Sequence, residues 1–255
     1  MTADPIFHLF SKNQMSTFTA RDLNAALWPA ADEMRKIMSA DVYKDYLLGL
    51  VFYKALSDKM LVEAYDLLND EKPESLDAAQ IVYTEALTDG SWEDLSLELN
   101  NRFGCVIHPK RTFTAFYNQI NARTFMLSEL RQAFRDIEAA SGGTYEGLFE
   151  DFDIEDLGKT PDKRNEMISS VIKALAHIDF NDYPEDALGD AYEYLIAQFA
   201  SESGKKAGEF YTPQSVSQII ARLVTAGQNT KYGFTVYDPA MGSGSLLLQI
   251  RNQIR

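Results

Sequence analysis

The chain has 255 residues, 45% of them hydrophobic, and a formal net charge of −14. That length admits one large or two modest domains with real cores, and there is neither an apolar run of about 18 residues nor a basic-then-apolar leader, so a cytoplasmic protein without a membrane span is expected. The acidity argues against nucleic-acid binding by this chain alone, since that affinity comes mainly from Lys and Arg at phosphates. The single cysteine, Cys105, excludes an internal disulfide, and with only His8, His108 and His177 beside it no metal site is expected.

In chain order, the first twenty residues are polar and irregular. A short helix is expected over 21–28, followed by a second starting near Ala30. Between 41 and 68 the apolar residues Val42, Tyr46, Leu50, Tyr53, Leu56, Met60 and Tyr65 recur at helical spacing, which predicts a long amphipathic helix. Its aromatic stripe reads as core, because base-stacking platforms sit among basic residues. Further helices are expected over 77–88, 92–100, 112–138 and 162–177, separated by turn-rich stretches such as Ser141-Gly142-Gly143. Residues 149–157 are dense in Asp and Glu and read as an exposed acidic connection.

After Pro184 the pattern changes. Residues 186–199 read as a helix, 201–208 as a flexible basic loop and 213–224 as a helix. Phe234-Thr235-Val236-Tyr237 is a β-favouring run that leads into a glycine-rich turn and a helix over 246–253. Strand, glycine-rich turn and helix form the opening of an α/β nucleotide-binding sheet.

That turn is Asp238-Pro239-Ala240-Met241-Gly242-Ser243-Gly244-Ser245. Its glycines let backbone approach a ligand, the helix start offers free N–H groups to a carboxylate or phosphate, and Asp238 at the strand end suits an ammonium. A zwitterionic amino-acid moiety satisfies both ends. A phosphate-binding loop would need a lysine after Gly244, where Ser245 stands, and a dinucleotide turn would need a small residue where Leu247 stands. A purely structural turn remains an alternative for this motif alone. The second motif, Gly208-Glu209-Phe210-Tyr211-Thr212-Pro213-Gln214, contains a natural helix cap in Thr212 and a natural first helical residue in Pro213. Its two aromatics before the cap also suit a loop folding over a ligand.

Together the two motifs resemble those of the modification (M) subunit of type I restriction–modification systems, in which a Tyr-Thr-Pro element precedes an Asp-Pro-x-x-Gly-x-Gly element. Leu23 to Arg35, Asp41 to Asp58 and Leu188 to Phe199 resemble the family as well. The resemblance implies a helical N-terminal domain, residues 1–165, followed from 166 to 255 by the start of a class I, Rossmann-like α/β methyltransferase domain. It implies S-adenosylmethionine as cofactor. Glu209, Phe210, Tyr211, Thr212, Pro213 and Gln214 would form one wall of its pocket, with Thr212 near the methionine carboxylate; Asp238, Met241, Gly242, Ser243 and Gly244 would form the other. The reaction implied is methyl transfer to adenine N6 in duplex DNA, with a specificity (S) subunit, a restriction (R) subunit and a second M subunit as partners. No Asn/Asp-Pro-Pro-Tyr/Phe tetrapeptide, the family's catalytic motif, occurs in the chain, so no catalytic residue is assigned and the chain alone is expected to be inactive. The alternatives are a non-catalytic helical assembly module and a methyltransferase of the same cofactor fold with another substrate.

Overall fold

The computed structural model describes residues 20–35, 40–140, 142–150, 152, 157–183, 189, 195, 212, 214–228, 233–241 and 245–254. The expected helix over 186–199, apart from Gly189 and Leu195, and the loop over 201–208 lie outside the described residues. The chain divides into two compact units, Met1–Ala191 and Tyr192–Arg255.

The first unit is helical. Helix α1, Ala20–Arg35, is one element with Pro29 inside it, not two helices. Proline removes one helical hydrogen bond at a cost of roughly 3 kcal/mol. Against that cost, Leu23, Leu27, Ala30, Ala31 and Met34 form an unbroken stripe, all fully buried, and α1 packs on α7, Pro161–Leu175. The facing residues of α7, Ile168, Val171, Ile172 and Leu175, are also inaccessible.

Helix α2, Ala40–Asn69, is the long helix the spacing predicts, but it is central and not amphipathic in its middle. Tyr46, Leu50, Tyr53, Leu56 and Met60 are buried as core, and so are Leu47, Val51, Ala55 and Leu61 on the other faces. It is surrounded by α1, by α3 (Leu76–Asp89), by α4 (Trp92–Phe103), by α5 (Phe113–Asn121) and by a single 3₁₀ turn, Phe180–Asp182. Helix α3 is capped by Ser75, whose hydroxyl accepts from the Ala78 amide at 3.1 Å, and ends on Gly90 with φ of 91°. That left-handed conformation is open to glycine at little cost.

The segment between α4 and α5 is irregular, and its backbone is paired by α2 and α3. The Tyr83 hydroxyl donates to the Ile107 carbonyl at 2.8 Å, Gln80 donates to the Pro109 carbonyl at 2.9 Å, and the Tyr53 hydroxyl donates to the Arg111 carbonyl. Arg111 in turn meets Glu129 at 2.8 Å and Asp136 at 2.6 Å on α6, Leu127–Ala140.

The expected single helix over 112–138 is therefore two, α5 and α6. Thr112 caps α5 through the Ala115 amide at 3.0 Å. The chain then leaves the helix at Arg123, with φ of 60°, and Asn165 on α7 holds the break open. Its side chain accepts from the Leu127 amide at 3.0 Å and donates to the Phe125 carbonyl at 3.3 Å. The acidic connection after α6 is likewise not wholly exposed. Phe149 stacks on Phe134 with centroids 3.9 Å apart, and Phe152 meets Tyr46 and Phe134 edge-on, each at 4.9 Å.

Inside this unit two charges are sealed from water. Lys54 Nζ lies 2.7 Å from Asp58 Oδ2, one helical turn on, with side chains 1% and 0% exposed. The ammonium sits 4.8 Å from the centre of the Phe113 ring and 5.9 Å from that of Phe180. No donor meets Asp58 Oδ1 with hydrogen-bond geometry. Burial pushes the Asp58 carboxyl up from 3.8 to about 6, against the opposing pull of Lys54 and the Phe180 amide.

Two outcomes are expected in urea unfolding. Asp58→Ala leaves a buried ammonium unpaired and costs about 3–5 kcal/mol, whereas Lys54→Met combined with Asp58→Leu stays within about 1–2 kcal/mol of the parent or exceeds it. Because the folded chain holds the Asp58 proton more tightly than the unfolded chain, this group favours folding most below 3.8, and its contribution falls as pH rises towards about 6. That slope disappears in the double variant.

Candidate functional site

The second unit contains α8, Gln214–Thr225, and α9, Ser245–Ile254, packed against each other. Between them runs the segment 233–241. The expected strand over 234–237 forms no β-ladder among the described residues. A strand is held by its neighbours' hydrogen bonds, and no described segment pairs with this one.

Asp238 stands where that segment turns. Its Oδ1 accepts from the Ala240 amide at 2.9 Å, an Asx turn across Pro239. Its Oδ2 is buried with no hydrogen-bond partner among the described residues. An orphaned buried carboxylate oxygen is costly, and a cationic donor is the partner that offsets the cost best.

Beside it opens a gap of about 390 Å³, lined by Ile220 and Val224 of α8, the segment from Phe234 to Pro239, and Leu246, Leu247 and Ile250 of α9. The size and the mostly apolar walls suit part of a small-molecule site. Tyr237, one of the lining residues, is 86% exposed, and Met241 in the following turn is 55% exposed. On the outside of α8, Val216, Ile219 and Leu223 face solvent.

Among the described residues singled out from sequence, Asp238 combines a held orientation with a side-chain oxygen that no described residue meets. Thr212 is half-buried, and its carbonyl accepts from the Ser217 hydroxyl at 3.5 Å; α8 begins at Gln214. Glu209, Phe210, Tyr211, Pro213, Gly242, Ser243 and Gly244 lie outside the described residues. The apolar walls contributed by Ile220, Val224 and Ile250 went unnoticed in the sequence. Their signal was the four-residue repeat Ile220–Val224 and Leu246–Ile250 on two helices flanking the same turn.

Comparison with known proteins gives the family of this chain. The profile of the HsdM N-terminal domain matches residues 23–175, and that of the N-6 DNA Methylase domain matches 183–255. The chain belongs to the family of type I restriction–modification methyltransferase (M) subunits.

Among its relatives, the type I restriction enzyme MpnII methylase subunit of Mycoplasma pneumoniae is 30% identical over 88% of this chain and 43% of its own length. The MjaIX methylase subunit of Methanocaldococcus jannaschii is 27% identical over 87% of this chain and 38% of its own. A solved type I restriction-modification methyltransferase subunit from Streptococcus thermophilus is 47% identical, with a TM-score of 0.85 over 91% of this chain and 50% of that one. The chain thus spans half or less of the length of these relatives. No helix among the described residues is long and apolar enough to cross a membrane.

The Asx turn separates two roles of Asp238. Asp238→Asn keeps the Oδ1 acceptor and should leave thermal stability unchanged, while Asp238→Ala loses the turn bond and should cost about 1 kcal/mol in a calorimetric melt.

Proposed function

We propose that this chain is the N-terminal part of a DNA adenine-N6 methyltransferase and supplies the methionine side of an S-adenosylmethionine site. The observation that carries this reading is the buried Oδ2 of Asp238, which has no hydrogen-bond partner among the described residues and lines an apolar gap. A methionine ammonium there would meet a fixed carboxylate oxygen, held in place by the Ala240 amide.

On this reading Asp238, Met241, Gly242, Ser243 and Gly244 form one wall, and Glu209, Phe210, Tyr211, Thr212, Pro213 and Gln214 the other. The start of α9 after the glycines offers N–H groups to the carboxylate. Bound S-adenosylmethionine would bring an already activated methyl on its sulfonium, so the chain's own contribution is orientation and exclusion of water. The segment from 234 becomes the first strand of a Rossmann-like sheet once neighbouring strands pair with it. The helical domain, which includes α7, is followed in the chain by the methyltransferase domain. The target is an adenine extruded from duplex DNA. The assembled complex contains the specificity and restriction subunits and a second M subunit, and it works in the cytoplasm. A net charge of −14 fits a subunit whose DNA contacts come largely from its partners.

Calorimetric titration of S-adenosylmethionine into this chain and into a polypeptide extended to the length of its relatives tests the proposal. Binding is expected for the longer protein and weaker or none for this chain, and no methylation of DNA by this chain. Asp238→Asn in the longer protein should weaken binding about 10- to 100-fold, the loss of one charge-assisted hydrogen bond. No binding by either protein contradicts the methyltransferase reading and favours the non-catalytic assembly module.

A further inference from the structure

An open groove of about 830 Å³ runs in the helical unit between α4 and the C-terminal end of α6. Its floor is apolar, with Trp92, Leu97, Val106 and Ala140. Leu97 is 63% exposed, although the buried face of α4 is formed by Leu95, Leu99 and Phe103. Trp92 is half-buried, its ring centroid 5.7 Å from that of Tyr83 and 5.9 Å from that of His108.

The groove's charge is one-sided. Its lining contains Glu93, Asp94 and Asp136 and no Lys or Arg. Asp136 is already satisfied by Arg111. Glu93 and Asp94 have no ion-pair partner among the described residues, and His108 adds no compensating charge, since burial and the nearby Arg111 and Lys110 hold its imidazole below the ordinary range. The helix dipole alone accounts for two acids in the first turn of α4. It does not account for an exposed leucine one turn further on, in the same groove as a half-buried tryptophan.

We infer that this groove docks an amphipathic helix of a protein partner, with an apolar stripe seated on Trp92 and Leu97 and with Lys or Arg residues over Glu93 and Asp94. Such a helix matches the groove in both respects: apolar anchors at helical spacing for the floor, positive charge for the rim. An acidic helix would meet uncompensated repulsion. The inference stands apart from the cofactor reading, since none of these residues belongs to the second unit.

The probe is a fluorescent helical peptide of about 18 residues, long enough for five turns, built from Leu and Lys, with a Leu and Glu peptide of the same pattern as control. Anisotropy is read against the whole chain at roughly 0.15 M salt, where long-range attraction is screened. Saturable binding of the Leu/Lys peptide is expected, with no binding of the Leu/Glu peptide. Leu97→Glu should weaken it by about tenfold or more, and Glu93→Lys combined with Asp94→Lys should weaken it comparably. All three positions are exposed, so circular dichroism should report intact folds. Unchanged binding to Leu97→Glu would mean only general attraction to an acidic protein and would overturn the inference, as would no binding at all. Self-association of the chain that Leu97→Glu abolishes would put a second copy in the groove and overturn the partner reading.

Discussion

Lys54 and Asp58 lie one turn apart in a helix whose whole circumference is packed, so neither charge has access to water. Removing such ions from water costs several kcal/mol each, and one oxygen of Asp58 is left without an aligned donor. What offsets that cost is geometry: a 2.7 Å contact, and two aromatic rings flanking the ammonium. Those rings come from α5 and from the turn at Phe180, elements that are far apart in sequence. The pair therefore fixes where α5 and the end of the helical unit meet α2. A wholly apolar pair would bind the same neighbours with less directional demand.

From this centre the helical unit is assembled by polar contacts to irregular backbone. Gln80, Tyr83 and Tyr53 satisfy carbonyls of the segment between α4 and α5, and Asn165 satisfies the break between α5 and α6. Buried loops are expensive when their carbonyls and amides go unpaired, and these side chains remove that cost. In the second unit the balance is different. Asp238 has one oxygen paired and one without a partner among the described residues, and the helices beside it present an apolar gap.

Much of this was legible in the residues, and the failures have physical causes. Helices α2, α3, α4 and α7 stand where the sequence reading expects them. The continuity of α1 through Pro29 was hidden because the proline signal is local and the compensating stripe acts only against α7. The break between α5 and α6 contains neither glycine nor proline; it depends on Asn165, some forty residues later. Phe149 and Phe152 anchor a stretch whose composition is acidic, because composition does not show that two aromatic rings pack on Phe134. The segment from 234 has the composition of a strand, yet pairing belongs to neighbours and not to the segment itself. In the candidate site the turn around Asp238 was visible from its glycines and its acid. The walls from α8 and α9 were not, because ordinary helical leucines and isoleucines carry no mark of the cavity they line.

The most direct measurement is a crystal structure of S-adenosylhomocysteine bound to a polypeptide that contains this chain and extends to the length of its relatives. The account predicts the ligand's ammonium about 3 Å from Asp238 Oδ2, with its aliphatic part along Leu246 and Leu247. A ligand bound elsewhere, or one whose ammonium is held by another residue while Asp238 Oδ2 pairs with protein, would contradict it.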